Sequence, residues 1–247
     1  MRVRHFAAMV VLAAAIPALG MADVKIVTKQ HVDPFTMMGH TSPAQDTTTT
    51  TWITKDKMRV ESPKNVVIVR LDKKKMYIVQ NGGAVYSEIQ LPIDLKKLLP
   101  AGMAGPMLAM MKMTVTVKPG TQTKKVGTWM TRRWDVTMHS SMANVHQVQW
   151  VTKDIKLDLA AFKKMSNVMV ELQPGMADAI HQLEKIDGFP VEEDTETQMA
   201  MGSSAKVTSH TRVVSVTNGT PPPGTYAPPA HAKAKPFNMM EMMRKGH

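Results

Sequence analysis

The sequence predicts a mainly β protein built on an antiparallel meander, and three observations lead to that class. Residues 47–91 divide into the short β-prone runs TTTTTWIT, KMRVES, NVVIVRL, KMYIVQ and AVYSEIQ. Turn chemistry separates them at Lys55-Asp56, Ser62-Pro63, Asp72-Lys73-Lys74 and Asn81-Gly82-Gly83. Loops this short join only neighbouring antiparallel strands, because a parallel connection needs a crossover of a dozen or more residues. Further β-prone runs follow after residue 112, so the meander is long. A long meander must bury one face or close on itself.

The elements follow in order. Residues 1–22 have the pattern of an export signal. Arg2 and Arg4 form a basic start, FAAMVVLAAAI an apolar centre, Pro17 a break, and Gly20-Met21-Ala22 a small-residue cleavage site. The apolar run is short for a membrane span. The expected product is a periplasmic protein cleaved near Ala22. Residues 24–31 (VKIVTKQH) alternate as a half-buried first strand should. Residues 33–45, with two prolines and a glycine, are expected to be a loop before the meander begins.

After Pro92 the run IDLKKLL is helix-like, with Asp94 early and Lys96 and Lys97 late, the polarity the helix dipole favours. Residues 101–113 are methionine-rich and apolar, and read as a helical insertion interrupted by Pro106. Sheet resumes in MTVTVKP, KKVGTWMTRRWDVTMH and NVHQVQWVTKD. Helices are expected over residues 158–169 and 175–186, the second ended by Gly188. Two long strands close the domain at residue 220. In the first, Val191, Thr195, Thr197, Met199 and Met201 share one parity, and Glu192-Glu193-Asp194 reads as a solvated face. Residues 221–247, proline-rich and then methionine-rich, are expected to be an unpacked extension.

Composition narrows the function. The chain has no cysteine, so lipid attachment through a cysteine, disulfides and thiolate chemistry are excluded. Removal of Arg2 and Arg4 takes the formal charge from +11 to +9. Export makes nucleic acid an unexpected partner, and a basic surface there suits an anionic membrane surface or an envelope protein. No HExxH, GxSxG, GxGxxG or phosphate-loop spacing occurs, so no catalytic constellation is expected. The 24 methionines admit two uses beyond core filling. They suit an adaptable apolar surface, or soft thioether ligands for Cu(I) with His40 or His247 nearby.

The order of motifs resembles the LolA/LolB-like lipoprotein-carrier superfamily, and is similar to an uncharacterised branch of it, a domain of unknown function. WITKDKMRVE (residues 52–61), PIDLKKLLP (92–100), KKVGTWMTRRWDV (124–136), KIDGFPV (185–191) and PGTYAPPA (223–230) carry the resemblance. It implies an unclosed antiparallel β-barrel over residues 23–220, with a few short helices covering the concave face. It also implies an apolar cavity between sheet and helices that holds a lipid or lipoprotein acyl chain, without catalysis or cofactor. Arg59 resembles an arginine of an early carrier strand that helps a lid close. The wall is expected from Trp52, Met58, Val60, Ile68 and Tyr77, and a mobile lid from Leu95, Leu98, Leu99, Met103, Met107 and Met110. A periplasmic copper-binding protein, and an envelope structural or interaction protein, are the alternatives.

Overall fold

The computed structural model describes residues 23–37, 39–99, 105, 112–171, 176, 179–199 and 205–238. The signal-like segment lies outside these residues. The strands are β1 (Asp23–Val32), β2 (Phe35–Met37), β3 (His40–Ser42), β4 (Gln45–Ile53), β5 (Lys57–Glu61), β6 (Val66–Arg70), β7 (Lys75–Gln80), β8 (Val85–Gln90), β9 (Thr114–Val126), β10 (Trp129–His139), β11 (Ala143–Thr152), β12 (Phe189–Met199), β13 (Lys206–Gly219) and β14 (Lys233–Ala234). The helices are α1 (Leu95–Leu98), α2 (Leu159–Glu171) and α3 (Ile180–Leu183).

Twelve strands form one open sheet in the order β14-β8-β7-β6-β5-β4-β1-β13-β12-β11-β10-β9. Every pairing is antiparallel except β14 with β8. The two runs β4–β8 and β9–β13 are therefore consecutive meanders, and β1 joins them by pairing with β4 and β13. The sheet is not closed into a barrel. One free edge is β9, where Lys118, Pro119, Lys124 and Lys125 discourage pairing with another chain.

Register defines the two faces. Val24, Ile53, Met58, Val69, Met76 and Ile89 are successive cross-strand partners, and all are buried. They make an apolar band across six strands, the inner face. Helix α2 closes over it with Ala161, Met165 and Val168, whose spacing puts them on one side of the helix. Asp158 starts this helix by accepting a hydrogen bond from the Ala161 N–H at 3.0 Å. A second buried cluster joins Val115, Val117, Val136 and Val151 to Met176, Ala179 and Ile186.

Several boundaries differ from expectation. The run of residues 124–139 is two strands, because Gly127 (φ 58°) turns the chain and Lys124–Val126 belong to β9. The loop after β1 contains the small β2–β3 hairpin. Helix α1 is a single turn, and of residues 175–186 only Ile180–Leu183 are described as α-helix. At Gly188 (φ 138°) a Cβ would lie 2.6 Å from the Thr152 carbonyl oxygen, so β12 enters the sheet only through a glycine.

The largest departure is at the C-terminus. Residues 221–247 are expected to be unpacked, and instead those described, 221–238, form a strap across the other face of the sheet. Arg59 donates to the Thr225 carbonyl at 3.3 Å and Arg70 to the Tyr226 carbonyl at 2.9 Å. The Tyr226 hydroxyl donates to Asp23 at 2.6 Å. The strap then adds β14 to the sheet edge beside β8, and Phe237 packs against the main core. Prolines carry no N–H to satisfy, so the strap's carbonyls take side-chain donors from the sheet instead of a ladder.

Candidate functional site

The face beneath α2 is apolar over β4–β8 but changes character on β11–β13. There the inward residues include Gln149, Glu193 and Thr211 in one cross-strand row, and Gln147 with Thr195 in the next. Four of these side chains bond in a ring. Gln149 Nε2 donates to Gln147 Oε1 at 2.7 Å and to Glu193 Oε2 at 3.2 Å. Gln147 Nε2 donates to Thr195 Oγ1 at 3.2 Å, and Thr195 Oγ1 donates to Glu193 Oε1 at 3.4 Å. Burial pushes the Glu193 carboxyl above its ordinary range, and the neighbouring charge of Asp194 acts the same way. Hydrogen bonds from Thr195, Gln147 and Gln149 offset part of that rise. Glu192 is also buried (8% exposed), with Lys124 as its hydrogen-bonded partner on the other face. The stretch Glu192-Glu193-Asp194 is therefore not one solvated face.

Gln149 is also part of the floor of a cavity of ≈ 190 Å³ between the sheet, α2 and α3. Phe162, Ser166 and Val170 line it from α2, Leu183 from α3, and Ile186 and Pro190 from the chain entering β12. Lys163, Asn167 and Glu184 also line it, so the space combines apolar side chains with a few hydrogen-bonding groups, as ligand pockets do.

The residues expected to form one wall are divided between faces. Met58 and Val60 face inward with the apolar band. Trp52, Ile68 and Tyr77 belong to the alternate row, in which Lys25, Trp52, Arg59, Ile68, Tyr77 and Glu88 are successive partners on the outer face. Register pairs Trp52 with Arg59 and Ile53 with Met58, so Trp52 and Met58 cannot share a face. Arg59 likewise points away from α2, where it holds Glu61 at 2.9 Å and the strap. Leu98 packs against the main core, Leu99 is buried and Leu95 half-buried. Met103, Met107 and Met110 lie outside the described residues, as do Met239 to Met243 and His247. Sequence patterning does not reveal the Gln147–Gln149–Glu193–Thr195 ring, because its members are polar residues at inward positions of strands.

A family model described as Domain of unknown function (DUF4412) matches residues 35–232. The chain belongs to this family. The DUF4412 match takes in the inward polar ring, α2, and the strap as far as residue 232, so most of the proline-rich segment is part of the domain. Strand β1 precedes the matched span although it joins the two meanders. No curated protein matches the chain.

Proposed function

We propose that this DUF4412 protein is an exported, non-catalytic binder of an apolar chain, a lipid or lipoprotein acyl group, held between the inner face of the sheet and helices α2 and α3. The resemblance of the motif order to that of the LolA/LolB-like carriers supports this reading, and the observation that carries it is the cavity lined by Phe162, Val170, Leu183 and Ile186. At ≈ 190 Å³ it is smaller than the roughly 300 Å³ at which ligand pockets ordinarily begin. A full acyl chain therefore enters only when α2 moves off the sheet, and the buried contacts of Met165 set the cost of that motion. The ring at Gln149 and Glu193 gives the bound chain a polar end to orient against.

The test is binding of a fluorescent fatty-acyl probe to delipidated protein, compared with Ser166→Trp, which fills the cavity from α2. The expected result is saturable binding that falls by about tenfold or more in the variant, since a blocked site forfeits well over 1.4 kcal/mol. No binding by the unmodified protein, or equal binding by both, rejects the proposal.

A further inference from the structure

The outer face of the sheet carries a histidine and carboxylate array that neither the fold nor the acyl cavity uses. Asp46, His31, His210 and Asp194 are successive cross-strand partners on β4, β1, β13 and β12. His31 Nδ1 lies 2.8 Å from Asp46 Oδ1, and His210 Nδ1 lies 2.6 Å from Asp194 Oδ1. A carboxylate on Nδ1 holds the imidazole in the tautomer whose Nε2 lone pair is available, and raises its basicity. Metal-bound histidines are held in this way. Both imidazoles are 45% exposed, so a hydrated ion reaches them without unfolding.

A third donor stands beside them. Asp33 Oδ1 is 3.4 Å from His31 Nε2, and its other oxygen is held by the Thr208 hydroxyl. Two ligands bound tetrahedrally at about 2.0–2.1 Å to one zinc ion are roughly 3.3–3.4 Å apart. His31 Nε2 and Asp33 Oδ1 are therefore already separated by the bite of a single ion. Asp33 and His210 both line one depression of ≈ 300 Å³ on this face. Among the described residues no three such side chains converge on one point, so His210 must turn its ring toward the ion. Exposure leaves it room to do so.

We propose that His31, His210 and Asp33 form a site for a divalent transition-metal ion of the zinc class, with water completing the shell. Asp46 positions the His31 imidazole, and His210 exchanges its contact with Asp194 for the ion. Imidazole and carboxylate donors suit Zn²⁺, and thioethers do not, so this site is independent of the methionine clusters.

The test is titration of the metal-stripped full chain with Zn²⁺ alone near neutral pH, followed by calorimetry and by ¹⁵N spectra of the histidine side chains. One equivalent binds, and the Nε2 resonances of His31 and His210 shift on binding. His31→Asn and His210→Asn each weaken binding by about tenfold or more, and Asp46→Asn, which leaves every ligand in place, weakens it by about 10–100-fold. His181→Asn, at an 88% exposed position on α3, leaves binding unchanged. Absence of zinc binding overturns the proposal. Binding that survives both histidine substitutions, or falls equally with His181→Asn, overturns it too, because the ion is then adventitious. Should a variant fail to fold, the resonances of the unmodified protein decide: if those of His31 and His210 do not move with zinc, the proposal fails.

Discussion

Cutting the chain after Gly219 removes the strap and tests whether the proline-rich segment belongs to the fold. Ile68 and Val79 lie on the outer face, opposite the buried band, yet are 0% and 2% exposed. The segment that crosses this face is the strap, tied down at Arg59, Arg70 and Asp23. Exposing two fully buried aliphatic side chains costs about 1.5–3 kcal/mol each, or about 3–6 kcal/mol together. Loss of the Tyr226–Asp23 hydrogen bond adds about 0.5–1.5 kcal/mol. The two arginines add little, because each keeps its own carboxylate, Glu61 for Arg59 and Asp72 for Arg70. Against a typical domain stability of about 5–15 kcal/mol, the truncated protein should be marginal or unfolded. The assay is urea denaturation of a chain ending at Gly219 against one ending at Asn238, which keeps the strap contacts at Arg59, Arg70 and Asp23. Midpoints differing by the equivalent of less than about 1 kcal/mol would refute the reasoning, since even one of the two side chains is expected to cost more.

Other perturbations address the inner face. Met165→Ala should cost about 2–5 kcal/mol in a urea melt, because Met165 on α2 is 0% exposed in the main core, whereas Met165→Leu should cost less than about 1.5 kcal/mol. Glu193→Gln should change the pH dependence of stability. The native state raises the Glu193 pKa, so the stability linked to that carboxyl is fully present below the ordinary glutamate range and is lost as pH rises through the raised native value. The uncharged variant should therefore match the parent in acid and exceed it at neutral and alkaline pH. Thermal melts across pH read the difference, and parallel curves for the two proteins would contradict the assignment.

What the sequence revealed and what it concealed follow from the range of the interactions concerned. The strands β4–β8 are legible because each is joined to the next by a turn of only three or four residues, a local signal. Their facing is not. A strand with one solvated side alternates, but β6 reads VVIV because Ile68 is buried on the face the strap crosses and Val69 in the inner core. With no polar parity to break the tie, the expected wall mixes the two faces, and Trp52, Ile68 and Tyr77 lie on the outer one. That same run held the correction. An apolar strand buried on both sides needs two covering elements, and the segment holding PPPGTYAPPA crosses the outer face. The polar ring and the histidine array were illegible for a different reason. Gln149 and Glu193 are joined by the β11–β12 register, and His31 and His210 by the β1–β13 register. In a sheet of this kind a chemical group is assembled across strands, so no spacing along the chain announces it. For the same reason, a slip of one residue in β1–β13 would shift the partner of His31 and separate Asp46, His31, His210 and Asp194 as a row. The bulge where β13 pairs with Val27 and Thr28 is what sets that register.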